Sequence, residues 1–202
     1  MPALGHVPLM DYISIKTITS LGDYWSILVS GIDRGRIDGH LNIDRTGPFV
    51  PPLTIVGVGD AVVTDAMRIR LDGVSGVIGF LPVVVKKAVR RNWHTWSLSL
   101  DERRAMCAGD PEDVLIRGRH NLKVAEEIGA LYELLTETDG RVSGGFDSRG
   151  NYFVNFTEPP TLGHKLFKAR TPGGYGHLVG SARFIASMGD EVNRWLQLTP
   201  IT

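Results

Sequence analysis

A chain of 202 residues, 43% of them apolar, has the composition of an ordinary globular core, which excludes a disordered polymer as the starting point. Its 22 basic and 22 acidic residues cancel, so no global field holds nucleic acid or an anionic membrane, and an electrostatic partner has to be read by a local patch. The longest apolar run, Val77–Val85, is broken by Gly79 and Pro82 and falls short of the roughly 20 residues that cross a bilayer, while a single cysteine, Cys107, excludes an internal disulfide and a thiolate zinc site.

The first residues, Met1-Pro2-Ala3-Leu4-Gly5-His6, lack the basic region, apolar run and cleavage site of a secretory signal, and cytoplasmic residence is expected. Ile13 and Ile15 alternate with Ser14 and Lys16, and Tyr24-Trp25-Ser26-Ile27-Leu28-Val29 is rich in aromatic and β-branched residues, so two strands are expected. Between Ser30 and Pro52 the density of Gly, Pro, Asp and Arg favours a long exposed loop. Leu53–Val58 reads as a buried strand, followed by a short helix capped by Asp60 or Thr64 and ending at Gly73. Val77–Val85 reads as the next strand. His94–Leu100 follows as another, with Trp96, Leu98 and Leu100 on one face.

In the second half, Val124, Ile128, Leu131, Leu134 and Leu135 recur at helical spacing, which predicts a helix from Asn121 to about Thr138-Asp139-Gly140. Asp147-Ser148-Arg149-Gly150 is a turn signal, and the alternation of Tyr152, Val154 and Phe156 after it predicts a hairpin. Gly163–Arg170 reads as a strand broken by Thr171-Pro172-Gly173-Gly174. Ser181 caps a short helix over Ala182–Met188 before Gly189, and Trp195–Pro200 ends the chain as a strand. These patterns place the chain in the α+β class: one domain over 1–202, with a mixed, largely antiparallel sheet and a few helices.

Val62–Ile69 can be laid over Leu178–Ile185, each stretch continuing to a glycine, Gly73 or Gly189, and then to a strand. Two pseudo-repeated halves, 1–110 and 111–202, and chance recurrence of a common supersecondary unit are both open. This pattern of valine, capping residue, short helix, glycine and strand resembles the repeated serine-capped helix signature of bacterial polymorphic-toxin immunity proteins. It is most similar to the families related to the double-CXXCG-motif immunity proteins, and the best match runs from Leu166-Phe167-Lys168-Ala169-Arg170 through Leu178-Val179-Gly180-Ser181-Ala182-Arg183-Phe184 to the C-terminus. Gly180 before the cap departs from the pattern, and with Cys107 alone both CXXCG elements are missing, so no metal is carried over. The resemblance implies a cytoplasmic protein that binds and blocks a cognate toxin domain.

For chemistry, His6, His40, His94, His120, His164 and His177 form no HxH or HExxH arrangement, and Cys107 has basic neighbours but no base tied to it. Gly57-Val58-Gly59-Asp60-Ala61-Val62 lacks the third glycine of a dinucleotide fingerprint, and Gly173-Gly174-Tyr175-Gly176 reads as a turn. The distinctive cluster is Lys86-Lys87-Ala88-Val89-Arg90-Arg91-Asn92-Trp93-His94-Thr95-Trp96, basic residues interleaved with aromatics that suit docking on an acidic protein surface and, less well in a neutral chain, on nucleic acid. Both uses require an exposed Trp93. The competing reading is a solvated basic connection with Trp96 packed in the core. Arg34 and Arg36, in a mixed-charge stretch, offer a second contact surface. The expectation is therefore an inhibitor without turnover or cofactor, contacting a toxin protein through Arg34, Arg36, Lys86, Lys87, Arg90, Arg91, Trp93 and His94. The alternative is a small-molecule-binding domain or enzyme with a pocket near His164, Tyr175 and His177.

Overall fold

A computed structural model describes residues 11–18, 23–95, 110, 112–150 and 152–202. Secondary structure runs β1 (Tyr12–Thr17), α1 (Asp23–Ser30), β2 (Ile32–Ile37), β3 (His40–Gly47), β4 (Leu53–Val56), β5 (Asp60–Thr64), α2 (Asp65–Leu71), β6 (Val77–Pro82) and β7 (Val84–Arg90). After a 3-10 turn at Trp93–Thr95 come α3 (Asp113–Ile116), α4 (Leu122–Ile128), β8 (Leu131–Thr136), β9 (Thr138–Phe146), β10 (Tyr152–Glu158), β11 (Leu166–Arg170), β12 (Gly176–Ser181), α5 (Ala182–Met188), α6 (Asp190–Asn193) and β13 (Leu196–Ile201). The class is α+β with largely antiparallel pairing, distributed over three sheets. One is a closed barrel, β1-β12-β11-β9-β10-β13; the others are β2-β3-β7 and β4-β5-β8-β6.

Two parts of this topology have the same order. In the four-stranded sheet, the β4–β5 hairpin leads through capped helix α2 to β6, and β8 lies between β5 and β6. In the barrel, the β11–β12 hairpin leads through capped helix α5 to β13, and β1 lies between β12 and β13. Each central strand comes from the opposite half of the chain. The largest core cluster fills the space between these units, with Ile15, Leu53, Val63, Met67 and Leu134 packed with Leu166, Leu178, Ile185 and Met188. Both helices are capped in the same way, Thr64 accepting from the Met67 amide and Ser181 from the Phe184 amide, so an overlay on the caps sets Ser181 on Thr64, one residue away from the overlay of Val62–Ile69 on Leu178–Ile185.

Four expectations change. The stretch 24–29 is helical, because the carbonyls that end α1 meet donors from β3: Thr46 Oγ1 bonds the Leu28 carbonyl at 2.8 Å and Arg45 Nη2 the Val29 carbonyl at 3.1 Å. The supposed loop after Ser30 holds β2 and β3, joined by Asp38-Gly39, both at positive φ as a two-residue hairpin turn requires. The expected strand Val77–Val85 divides at Val83 into β6 and β7, which enter different sheets. The expected helix 121–138 keeps its Asn121 cap but stops at Gly129 (φ 72°), and Leu131, Leu134 and Leu135 belong to β8. Residues 96–100 of the expected strand at His94–Leu100 lie outside the described residues, as do His6 and Cys107.

Candidate functional site at the barrel mouth

Strand alternation sorts the barrel's interior. Tyr12 packs edge-on against Phe156 and Phe167, with Val142, Val154 and Val179 around them. Ser14 and Lys16 follow Tyr12 on the same face of β1, and His177 precedes Val179 on the same face of β12. The interior therefore changes from apolar to polar toward one end. There Ser14 Oγ lies 3.3 Å from His177 Nδ1. Lys16 reaches across to β10, where its ammonium donates to the Tyr152 hydroxyl and stands 3.8 Å from the centroid of that ring. Gly144 on β9 leaves room for the phenol, since a Cβ there would stand 2.7 Å from Tyr152 Oη.

This mouth opens into a cleft of about 710 Å³ walled by β1, α1, the start of β2, the β4–β5 turn and the 171–176 turn. Ile15, Ile27, Ile32 and Ile55 supply much of its apolar wall, and Lys16, Asp33, Tyr175 and His177 its titratable groups. Thr17 Oγ1 donates to the Ile55 carbonyl at 2.7 Å and lies 2.9 Å from Ser30 Oγ, so these hydroxyls satisfy one another and the wall. Asp33 Oδ1 accepts the Gly35 amide at 2.7 Å. Burial, and next the Lys16 charge, push the His177 imidazole down to about 4, so it is neutral at pH 7.

Two turns form the rim. Gly59 takes φ 128°, and a Cβ on it would collide with the Gly176 carbonyl, so only glycine lets the β4–β5 turn seat on the start of β12. The 171–175 turn is closed by Thr171, whose hydroxyl bonds the Tyr175 amide at 3.1 Å. On these two turns Val58 and Tyr175 are 64% and 55% exposed.

The basic residues singled out in the sequence do not converge here. Arg34 pairs with Asp44 at 2.7 Å. Arg36 clamps buried Glu133 through both terminal nitrogens, at 2.6 and 2.7 Å, and reaches Asp60 at 3.2 Å; the Glu133 hydrogen bond is the main reason its guanidinium pKa is raised. Lys87 donates to the Ile116 carbonyl at 2.9 Å, and Arg90 faces Glu127 at 3.3 Å. Lys86, Arg91 and His94 are exposed, His94 stacked on Phe49 at 4.6 Å. Trp93 corrects the expectation most: it is fully buried, edge-on to Trp195 at 5.3 Å and to Phe49 at 5.4 Å, and cannot serve as a surface anchor. An indole following a strand of alternating character finds more apolar contact under α1 than at the surface.

The histidine expectation divides. His177 and Tyr175 share the cleft, whereas His164 lies apart, its Nδ1 3.2 Å from Ser75 Oγ beside the close approach of Gly76 to Leu166. Ser14, Lys16 and Tyr152 escaped the sequence reading as site residues. Only the alternation of Tyr12, Ser14 and Lys16 could have hinted at the first two. Comparison of the chain with protein-family models, curated proteins and solved structures returns no match.

Proposed function

We propose that this chain is a non-catalytic inhibitor that binds a bacterial toxin domain and neutralises it by occlusion in the cytoplasm. The carrying observation is the pair of glycine-seated turns that hold Val58 and Tyr175 outward over a part-polar cleft. Apolar and aromatic groups fixed in place before contact lose little freedom on binding, which is how a few side chains come to dominate an interface. The likeness of the Ser181-capped unit to immunity proteins supplies the class of partner. On the same reading the two units, with their exchanged strands, descend from a duplication, and the contact surface moves from Trp93 to the turns. Arg34, Arg36, Lys87 and Arg90 are already ion-paired or hydrogen-bonded; Lys86, Arg91 and His94 remain candidates for a polar rim.

Co-expression with the C-terminal domain of the chain encoded immediately upstream, the expected toxin, tests this. Host survival and a co-purifying complex are expected, with both lost in a Val58→Asp, Tyr175→Ala double variant that keeps its fold. Survival of the host with no complex, or no rescue at all, would sink the reading. A second reading, a small-molecule-binding domain, is favoured by one observation: Lys16, Asp33 and a neutral His177 line one part-polar cleft together with four isoleucines.

A further inference from the structure

Strand alternation divides the charges around the cleft. Lys16 belongs to the barrel-interior face of β1, and its ammonium is turned to the hydroxyl and ring of Tyr152. Asp33 is the one carboxylate among the described residues that line the cleft, and it is held differently. Its Oδ1 accepts the Gly35 amide at 2.7 Å, whereas its Oδ2 has no hydrogen-bond or ion-pair partner among the described residues. The neighbouring arginines are engaged elsewhere, Arg34 with Asp44 and Arg36 with Glu133 and Asp60. Oδ2 faces the β4–β5 turn, where a Cβ on Gly57 (φ 55°) would stand 2.9 Å from it. The hydroxyls of Thr17 and Ser30 are engaged with each other and with the Ile55 carbonyl, so Asp33 Oδ2 is the open charged acceptor of this lining.

We propose that the cleft binds a small primary alkylammonium ion, its head on Asp33 Oδ2 and its chain against the half-buried Ile27 and Ile55. A cleft of about 710 Å³ accommodates such a molecule, since small-ligand sites run from roughly 300 to 1,000 Å³. With Oδ1 taken by the Gly35 amide, one open oxygen suits an ammonium better than a guanidinium, whose fork needs both oxygens of a carboxylate. The charge balance selects a single positive charge: one carboxylate matches one head, and Lys16 in the same lining opposes a second, while His177, neutral at pH 7, adds no repulsion of its own. This inference deepens the small-molecule reading and rests on it, and it is independent of the toxin partner.

The test uses the full chain at pH 7 and probes of one tail length, hexylammonium, 1-hexanol, hexanoate and 1,6-diaminohexane, with Nα-acetyl-lysine methylamide as the same head carried on a peptide unit. Amide resonances are followed by heteronuclear NMR. Hexylammonium is expected to shift resonances of Asp33, Gly57 and Gly59, with each of the others at least about tenfold weaker, the scale of one charge-assisted hydrogen bond. Asp33→Asn keeps the acceptor for the Gly35 amide and should weaken hexylammonium about tenfold while leaving hexanol unchanged, which also shows that the variant cleft is intact. Lys16→Met removes the cation of the lining and should leave hexylammonium as tight or tighter. Equal hexylammonium affinity in Asp33→Asn, weaker binding in Lys16→Met, tighter hexanoate, or shifts on another surface would each overturn the proposal, and a tighter lysine peptide would overturn it in favour of a protein side chain. Failure of hexylammonium while hexanol still binds overturns the charge assignment alone; no shift at this cleft with any probe at millimolar concentration removes the small-molecule reading with it.

Discussion

At the scale of single residues, burial decides the charge state of His177. Its pKa falls from the ordinary 6.5 to about 4. Between those values the unfolded chain takes up a proton that the folded chain refuses, so the stability this group contributes is complete above pH 6.5 and is lost as pH falls toward 4. With the imidazole part-exposed, the loss is on the order of 1 to 2 kcal/mol after solvent screening. Chemical denaturation across that window should show this slope in the native chain, and His177→Asn should flatten it. A second residue shows how a side chain chooses the conformation of a distant segment. Thr46 donates to the Leu28 carbonyl while itself fully buried, so Thr46→Val strands an acceptor at the end of α1 and should cost about 1 to 3 kcal/mol in a urea titration.

Three helices of this fold, α2, α4 and α5, begin where a side-chain cap supplies a bond, and α4 and α5 stop at a glycine of positive φ. Thr64 and Ser181 each accept an amide at the start of a seven-residue helix, α2 and α5, whose inner faces bury Met67 and Leu71 in one case and Ile185 and Met188 in the other. Thr64→Ala and Ser181→Ala should each cost about 1 kcal/mol, and the two should add, since neither cap bonds the other's helix. The β4–β5 turn is less tolerant. Gly59→Ala combines an unfavourable φ with a collision against the Gly176 backbone, so it should lower stability by more than about 1 kcal/mol and, on the inhibitor reading, reduce toxin rescue as well. A melting curve paired with the co-expression assay separates the two effects.

Over the whole molecule, the exchange of β1 and β8 ties each unit to the far half of the chain. Ile15 of β1 and Leu134 of β8 meet in one cluster with both capped helices. Truncating either removes packing from a core both units share, so Ile15→Ala and Leu134→Ala should each destabilise by about 2 to 5 kcal/mol. Far-ultraviolet circular dichroism and fluorescence of the Trp93–Trp195 cluster should unfold in coincident transitions in both variants. Separate midpoints would show that the units melt independently.

Local signals were sufficient for much of this protein. The Thr64 and Asn121 caps, the helix Ala182–Met188 behind Ser181, the hairpin around Asp147–Gly150 and the last strand could all be read from the chain, because caps and turns act on neighbours a few residues away. Asp38-Gly39 and Gly129 carried the same kind of signal and were outweighed, the first by surrounding glycines and the second by an apolar spacing spread over a helix and a strand. The helical state of 23–30 was beyond local reading, since it rests on donors from Arg45 and Thr46, and so was the burial of Trp93 beside Trp195, about a hundred residues away in sequence. The site at the barrel mouth belongs to this second kind. Lys16, Tyr152 and His177 become neighbours only when β1 from the start of the chain enters a barrel built by its end, and strand pairing over such separations is set by the packing of the whole core.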